Sequence, residues 1–322
     1  MNSIETILSL VNKEVNALHF NTPPQSLFEP ITYILSLGGK RIRPVLALLG
    51  CEMFGADCKK ALPAALAIEV FHNFTLLHDD LMDKADIRRG KATVHKKWND
   101  NTAVLSGDAM LIESYHLMAK NETKYLKELL QLFSRTATEI CCGQQYDMEF
   151  ETREDVSEDE YIEMIRLKTA VLLGCALRSG AIIAEASTEN ASLIYDFGIN
   201  IGLAFQLKDD LLDVYGNPDT FGKNIGGDIT SNKKTFLLIN ALKADSTHQE
   251  LQEWIRKETF DREEKVKAVT AIYDELGLKK LAEARIESYY QKALECLRKI
   301  NVPEANKQTL LNIASELSTR NS

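Results

Sequence analysis

The chain has 322 residues, enough for one large domain or two ordinary ones, and its 45% hydrophobic and 26% charged residues are typical of a globular protein. A net charge of -9 argues against nucleic acid as a partner, because binding to phosphate backbones needs a basic surface. Residues 1–18 lack the basic start and continuous apolar core of a signal peptide, and no apolar run is long enough to span a bilayer. The six cysteines show no paired metal-ligand spacing, so we expect free thiols and a cytoplasmic location.

Helices are predicted along the whole chain, because apolar side chains recur at helical spacing and only 16 glycines and 7 prolines interrupt them. The predicted helices cover residues 4–18, 27–37, 45–54, 64–84, 102–120, 125–150, 157–186, 190–215, 235–243, 249–257, 261–276 and 278–300. Residues 216–234 are rich in Gly, Asn and Asp and are predicted to form a long, functional loop. No credible strand pattern is present. We therefore predict an all-α protein with one domain over residues 1–322.

Two copies of an acidic motif, DDxxD, follow apolar segments and precede basic side chains. The carboxylates belong to Asp79, Asp80, Asp83, Asp209, Asp210 and Asp213. The first and last aspartates of each copy are four residues apart and therefore share one helix face. Two carboxylates so close repel unless a cation lies between them, and Mg2+ commonly takes one or two carboxylates together with substrate phosphates. Acidic runs are usually solvated helix faces, but the apolar context favours two metal sites that bind a diphosphate.

A basic segment, GGKRIRP at residues 38–44, lies where a helix is predicted to begin. Positive side chains and free backbone N–H groups at such a place can bind an anion. The same residues could equally be a helix-terminating glycine pair with incidental surface charge. This segment alone does not decide between the two interpretations.

Five elements, GGKRIRP, HDDLMD with KADIRRG, FQLKDDLLD, GK and DITSNKKT, occur in that order over about residues 38–240. Together they resemble the trans-isoprenyl diphosphate synthases of the polyprenyl synthetase family, which include geranylgeranyl and farnesyl diphosphate synthases. The resemblance implies a single large helical bundle of the isoprenoid synthase type, with a central active-site cavity and usually a homodimeric assembly. It also implies head-to-tail condensation of isopentenyl diphosphate with an allylic diphosphate (dimethylallyl, geranyl or farnesyl diphosphate), with three Mg2+ per active site.

The resemblance also implies a role for individual residues. By this resemblance Asp79 and Asp83 bind Mg2+ with Asp80 in support, and Asp209 binds a third ion whose waters are held by Asp210 and Asp213. The side chains that look like ligands of the allylic diphosphate are Arg88, Lys168, Lys223 and Lys233. Those that look like the isopentenyl diphosphate site are Lys40, Arg43, His72 and Arg89. The polar groups that would face the developing carbocation are Thr169 and Gln206, and those that would line the cavity are Gln144 and Asp147.

Two departures from the pattern of bacterial members concern the motifs themselves. Asn232 precedes Lys233 where many bacterial members have glycine, although other members carry asparagine. The first motif has the short two-residue spacer, whereas bacterial farnesyl enzymes usually insert two further residues. The short spacer makes a dedicated farnesyl diphosphate synthase a weaker prediction.

The length of the product is predicted from the residues that precede the first motif. Phe74 and Phe71 lie five and eight residues before Asp79, and side chains three apart are neighbours on a helix. They could be ordinary core aromatics, but their place below a metal motif suggests that they form the floor of the cavity. The resemblance associates an aromatic residue at Phe74 with products of moderate length, and Thr75 is small where short-product enzymes have a second aromatic. We predict mainly C20 geranylgeranyl diphosphate, with C15 farnesyl diphosphate as the alternative and no long polyprenyl product.

Two other functions fit part of the pattern. A class I terpene cyclase shares the ionisation step, but it normally carries an Asn/Ser/Glu motif as its second metal site and needs no isopentenyl diphosphate site. A non-catalytic subunit of a heteromeric synthase would usually have lost acidic residues from one motif, and all six are present here. A prenyltransferase is therefore the predicted function.

Overall fold

The computed structural model describes residues 2–216, 225–244 and 248–319, and the regular secondary structure in these ranges is almost entirely helical. The α-helices are α1 (Ile4–Asn16), α2 (Gln25–Ser36), α3 (Ile42–Met53), α4 (Leu62–Met82), α5 (Val94–Lys97), α6 (Asp100–Met118), α7 (Thr123–Thr152), α8 (Glu158–Ile165), α9 (Val171–Ile183), α10 (Thr188–Tyr215), α11 (Gly227–Thr230), α12 (Phe236–Leu242), α13 (His248–Arg256), α14 (Arg262–Glu275), α15 (Leu278–Lys299) and α16 (Glu304–Thr319). A 3-10 turn at Cys58–Ala61 precedes α4, and a π-helical turn at Arg166–Ala170 joins α8 to α9. The all-α prediction is confirmed.

The prediction that no strand occurs is wrong at one place. Strands β1 (Ile87–Arg88) and β2 (Lys91–Ala92) pair antiparallel just after the first acidic motif. Arg89 and Gly90 between them have φ of 52° and 75°, the left-handed values that a tight hairpin turn requires. Strands of two residues are too short to show an alternating pattern, which explains why the sequence did not predict them.

The predicted helix ends agree with the structure to within a few residues, with four exceptions. Helix α5, which has only four residues, was not predicted. The helix predicted over residues 157–186 consists of α8, the π turn and α9. The described part of the predicted loop at 216–234 contains the short helix α11. Helix α16 was not predicted, because its buried side includes only a few small or apolar residues and the stem of Lys307, a pattern too weak to recognise.

The chain forms two compact units. The first comprises Met1–Ser134, Cys175–Ile194 and Val302–Thr309, and the second comprises Arg135–Gly174, Tyr195–Asn301 and Leu310–Ser322. Each unit carries one acidic motif. The prediction of a single domain over residues 1–322 stays a prediction.

In the first unit, α4 carries the acidic motif and packs against α3 and α6. None of the residues in its first four turns is exposed and most are buried, and its core-facing side chains end with Phe71, Phe74 and Leu77 just before the motif. Glycines allow close helix packing nearby, because a Cβ on Gly180 of α9 would overlap the carbonyl oxygen of Ala47 in α3. This rigid packing fixes the end of α4 at which the motif lies.

In the second unit, one apolar core surrounds the C-terminal half of α10. Its largest members include Phe150, Tyr161, Phe236 and Tyr273. A Cβ on Gly143 of α7 would overlap the backbone nitrogen of Lys168, so this glycine lets α7 lie directly against the π turn. Within the described ranges, no helix is both long and apolar enough to cross a membrane.

Candidate active site

The first motif occupies the C-terminal end of α4. Asp79 and Asp80 lie in the last turn, and Asp83 is the C-cap residue, whose N–H donates to the carbonyl oxygen of Asp79 over 2.9 Å. The Asp79 side chain is 23% exposed and Asp83 is exposed, whereas the Asp80 side chain is only 4% exposed. The two outer carboxylates are therefore accessible to a ligand, and the middle one is not.

The buried carboxylate of Asp80 holds an arginine from the hairpin. Arg88 Nε donates to Asp80 Oδ2 over 2.7 Å, and its Nη2 lies 4.0 Å from Asp79 Oδ2. Burial raises the pKa of Asp80, and the arginine partly offsets this rise. Asp80 thus keeps a guanidinium group beside the first motif, which suits the supporting role predicted for it.

A second group of cations lies in the same unit. Arg43 Nη1 is 3.1 Å from His72 Nε2. Burial lowers the pKa of Arg43 to about 10, with Glu69 opposing the shift and Arg89 adding to it. Burial, Arg43 and Arg89 also lower the pKa of His72 well below its usual value, so His72 is neutral and accepts a hydrogen bond from Arg43. A half-buried arginine whose pKa is lowered by burial and by a neighbouring arginine is typical of an anion site.

The glycine pair before this group positions Arg89. The guanidinium Nη1 of Arg89 donates to the carbonyl oxygen of Gly38. Gly39 has φ of 137°, and a Cβ there would lie 2.6 Å from Arg89 Nη2. Lys40 follows as an exposed residue. The two interpretations of GGKRIRP are compatible, because the glycines follow α2 and also make room for Arg89, which the sequence predicts to bind a diphosphate.

Arg41 of the same segment has a different role, which the sequence did not predict. It is 5% exposed, and it donates from Nη1 to Glu69 Oε1 over 2.5 Å and from Nη2 to the carbonyl oxygen of Leu35 over 2.7 Å. Asn73 Nδ2 also donates to Glu69 Oε1, over 2.9 Å. Arg41 is thus a buried anchor for the loop. The sequence does contain a sign of this role, because Glu69 and Asn73 are two polar residues four apart on the apolar helix α4 and so indicate a buried polar partner.

The second motif repeats the arrangement of the first. Asp210 is 7% exposed, and its carboxylate accepts hydrogen bonds from the Tyr161 hydroxyl and, over 3.0 Å, from Gln206 Nε2. Burial raises the pKa of Asp210 to about 6, with Lys233 as the main opposing influence. Asp209 and Asp213 are partly exposed. Asp213 Oδ2 also accepts from the backbone N–H of Asp228 over 2.9 Å, which ties α10 to α11.

Two predicted diphosphate ligands meet at Asp147. Lys168 Nζ donates to Asp147 Oδ2 over 2.7 Å, and Lys233 Nζ lies 3.8 Å from the same oxygen. Burial alone would raise the pKa of Asp147, but the two lysines outweigh it and lower the pKa. Gln144 lies one turn earlier on α7 and is partly buried. The predicted ligand Lys223 falls outside the described residues.

The π turn presents Lys168 and Thr169 to one cavity of the second unit. Thr169 Oγ1 donates to Gln206 Oε1 over 3.2 Å, which continues the chain of hydrogen bonds to Asp210. π-helical turns within α-helices are frequent at functional sites. The cavity is lined by Asp147, Tyr161, Met164, Ile165, Lys168, Thr169, Gln206, Asp210 and Lys233. Five of these were predicted as site residues from the sequence, Asp147 was expected to line the cavity, and Tyr161 is the polar member that was missed.

The predicted chain-length residues are neighbours on α4. The ring centroids of Phe71 and Phe74 are 5.4 Å apart, and Phe71 also lies 5.2 Å from Phe133. Phe71 is 1% and Phe74 is 9% exposed. Thr75 donates from Oγ1 to the carbonyl oxygen of His72 over 2.8 Å. The aromatic pair lies where the sequence predicted it, and its role in chain length stays a prediction.

The donor atoms of both motifs suit a hard divalent cation. Among the residues that the structure describes, no three acidic, histidine or cysteine side chains converge on one point. Each motif instead offers two partly exposed carboxylates, and Mg2+ usually binds one or two carboxylates and completes its shell with water and phosphate oxygens. The residues present therefore fit a metal that arrives together with a diphosphate.

The fold and the candidate site are those expected of a helical enzyme that acts on diphosphates, and comparison with known proteins identifies its family. The polyprenyl synthetase family model matches residues 24–273. The geranylgeranyl diphosphate synthase of Methanosarcina mazei is 40% identical over 245 residues, 76% of each chain. A crystal structure of a geranylgeranyl pyrophosphate synthase is 48% identical, covers 100% of both chains and has a TM-score of 0.96. The polyprenyl synthase of Caulobacter crescentus, complexed with calcium and isoprenyl diphosphate, is 28% identical, covers 99% and 96% of the two chains and has a TM-score of 0.87.

The chain therefore belongs to the polyprenyl synthetase family. It is a trans-prenyltransferase with the all-α isoprenoid synthase fold, as the sequence predicted. Members of this family depend on divalent metal ions and bind isoprenyl diphosphates.

Proposed function

We propose that this protein condenses isopentenyl diphosphate head-to-tail with allylic diphosphates and releases mainly C20 geranylgeranyl diphosphate. The observation that carries the proposal is the shared construction of the two motifs. In each motif the middle aspartate is buried and bonded to side-chain donors, and the outer two are more exposed to a metal–diphosphate complex. The relatives named geranylgeranyl diphosphate synthase support the C20 product. Farnesyl diphosphate (C15) is the alternative.

Ionisation of the allylic diphosphate requires that negative charge on the leaving group be stabilised. We propose three Mg2+ per active site, held by the accessible carboxylates of both motifs, which would supply that stabilisation when bound. Arg88, Lys168 and Lys233 would bind the same diphosphate. Because Asp147 pairs with both lysines, the diphosphate would compete with Asp147 for their ammonium groups.

The carbocation that ionisation leaves behind would be stabilised by Thr169 and Gln206. The Thr169 hydroxyl donates its hydrogen to Gln206 Oε1, so the lone pairs on its oxygen remain available to a positive charge. Gln206 in turn donates to Asp210, which fixes the orientation of its amide. This chain of hydrogen bonds is set before substrate binds, which is the condition for electrostatic preorganisation.

Isopentenyl diphosphate would bind to Lys40, Arg43, His72 and Arg89. The neutral His72 accepts from Arg43 and thereby orients its guanidinium group without adding positive charge. The double bond of isopentenyl diphosphate would attack the cation, and the released diphosphate would accept the proton. No protein base is needed for this step.

We also propose that the enzyme works as a homodimer. Helix α6 has exposed apolar side chains at Val104, Leu105 and Ile112, which are 41%, 59% and 57% exposed. Three exposed apolar residues along little more than two turns of one helix are consistent with a protein interface. Light scattering coupled to size-exclusion chromatography should give a mass near twice that of the chain.

The function is tested with purified protein, radiolabelled isopentenyl diphosphate, Mg2+ and each of dimethylallyl, geranyl and farnesyl diphosphate. We expect C20 as the main product after dephosphorylation and chromatography, and no incorporation in excess EDTA. Asp79→Asn and Asp209→Asn should abolish turnover without unfolding the protein. Asp86→Asn is the matched control, because Asp86 is an exposed aspartate beside the first motif that pairs with Lys96.

The outcome distinguishes this function from its alternatives. A terpene cyclase would convert an allylic diphosphate into a hydrocarbon without isopentenyl diphosphate. A non-catalytic subunit would give no product alone. Incorporation that persists in EDTA, or in either aspartate variant, would show that the metal-dependent mechanism is wrong.

A further inference from the structure

A buried lysine outside the catalytic motifs is the feature from which this inference starts. Lys265 of α14 is 1% exposed, although lysines are rarely buried unless a partner compensates their charge. Its Nζ donates to Asn232 Oδ1 over 2.7 Å and lies 4.1 Å from the ring centroid of Phe260. Burial lowers the pKa of Lys265. Its partners are therefore an amide oxygen and an aromatic face, both of which favour a cationic donor.

The partner, Asn232, has an unusual backbone conformation. Its φ is 54°, in the left-handed region that asparagine tolerates better than most residues. Its Nδ2 donates to the carbonyl oxygen of Ile255 over 3.0 Å, and its Oδ1 accepts from Lys265. Both ends of the amide are thus bonded. Glycine would adopt this φ at no steric cost but would offer no side chain to fix the turn.

The turn that Asn232 forms leads directly to a predicted substrate ligand. The backbone N–H of Lys233 donates to the carbonyl oxygen of Asp228 over 2.9 Å, and Lys233 Nζ lies 3.8 Å from Asp147 Oδ2. Asp228 in turn donates from its backbone N–H to Asp213 Oδ2 over 2.9 Å. The position of this turn therefore affects both the ammonium group of Lys233 and the last carboxylate of the second motif.

We propose that Lys265 is a positioning residue, which holds the Asn232 turn so that Lys233 meets the allylic diphosphate. The inference rests on the proposed function, in which Lys233 binds that diphosphate. Lys265 touches neither substrate nor metal in this scheme and acts only through Asn232. A glycine at position 232 would adopt the left-handed φ without support, whereas Asn232 is held in that conformation by its hydrogen bond from the buried Lys265.

The first test is Lys265→Met, which keeps the length and apolar stem of the side chain and removes the donor. Loss of one charge-assisted hydrogen bond should raise the KM for the allylic diphosphate about tenfold. The Mg2+ concentration for half-maximal rate should also rise, because Asp213 is bonded to the same turn. The KM for isopentenyl diphosphate should change by less than about twofold, since the residues proposed to bind it lie in the first unit. Lys307→Met is the matched control, because Lys307 is a second buried lysine, 3% exposed and bonded to Glu304 in α16.

The second test is rescue by Asn232→Gly in the Lys265→Met background. Glycine adopts the left-handed φ and leaves no amide oxygen in need of a donor. The double variant should recover an allylic KM within about threefold of the wild type, and its unfolding temperature should fall by less than the sum of the two single changes. Asn232→Gly alone should lower the unfolding temperature, because it leaves the Lys265 ammonium buried without its oxygen partner.

Three results would overturn the inference. Equal rises in both KM values would show a general structural defect, as would a fall in kcat at unchanged KM. Additive effects in the double variant would show that Lys265 does not act through Asn232. A wild type that performs no condensation would refute the proposed function and this inference together, whereas an active wild type with additive variants would refute the inference alone.

Discussion

The aromatic pair on α4 makes the most quantitative prediction, namely that Phe74→Ala lengthens the product by about one isoprene unit. An α-helix rises about 1.5 Å per residue, so Phe74 and Phe71 lie about 7.5 and 12 Å before Asp79 along the axis. The interval of about 4.5 Å is close to the length of an isoprene unit, about 5 Å for four single-bond-like steps. Each ring is therefore placed to block one further unit, and a C20 product in the wild type would become C25 in the variant.

The double variant Phe71→Ala/Phe74→Ala should add a second unit. Phe133 packs against Phe71, at 5.2 Å between ring centroids, and Tyr115 lies 5.1 Å from Phe133. This further aromatic layer should stop the product near C30. Each Phe→Ala change at a buried site costs about 3–5 kcal/mol of unfolding free energy, part of which a longer prenyl chain would recover by filling the cavity.

The assay is chromatography of dephosphorylated products, with unfolding measured alongside. Phe236→Ala is the control, because Phe236 is as buried as Phe71, at 1% exposure, but belongs to α12 of the second unit. It should lose stability without lengthening the product. A wild-type product of C30 or longer, or a product of unchanged length in the double variant, would refute the proposal that Phe71 and Phe74 form the floor of the cavity.

Three further predictions follow from the site. Arg43→Ala should raise the KM for isopentenyl diphosphate at least about tenfold and the KM for the allylic substrate much less, because one charged hydrogen-bond donor is lost from the isopentenyl diphosphate site alone. Equal effects on both KM values would mean that Arg43 does not belong to that site. Arg41→Met should leave the buried Glu69 carboxylate without a cationic partner and with the Asn73 amide as its remaining donor, at a cost of about 3–5 kcal/mol in denaturant unfolding, and a cost below about 1 kcal/mol would contradict the anchoring role. In metal-free protein the folded-state pKa of Asp210, about 6, exceeds its usual value of 3.8, so the folded state binds a proton that the unfolded chain has lost between these values. Stability should therefore fall as pH rises through that window, by at most about 3 kcal/mol, and Asp210→Asn should remove this fall; an identical pH profile in the variant would contradict it.

The helices could be predicted because their signal is repeated many times along the chain. The apolar positions of α4 recur over five turns, and the predicted range of 64–84 differs from Leu62–Met82 by two residues at each end. The π turn at Arg166–Ala170 could not be predicted in this way. One additional residue per turn changes the apolar period only locally, and the buried residues on both sides still read as a single helix.

The residue types of the candidate site could be predicted from the sequence, but the direction of each side chain could not. Arg41 and Arg43 are two residues apart in one basic segment, yet Arg41 pairs with the buried Glu69 and Arg43 contacts His72. The left-handed φ of 49° at Arg41 separates them, and no residue preference predicts that conformation for arginine. Tyr161 was missed for a similar reason, because its contact with Asp210 joins residues far apart in the sequence.

The geometry of a helix explains why the three aspartates of each motif are not equivalent. Around the helix axis, the first and last aspartates of a motif lie about 40° apart, whereas the middle aspartate is about 100° from the first. If the outer pair faces a ligand, the middle carboxylate must point aside, toward neighbouring side chains. The protein supplies donors at both such places, with Arg88 at Asp80 and Gln206 together with Tyr161 at Asp210. Middle and outer aspartates should therefore respond differently to Asn, which keeps the shape and removes the charge: the outer positions lose a metal ligand, and the middle positions lose the anchor of a neighbouring side chain.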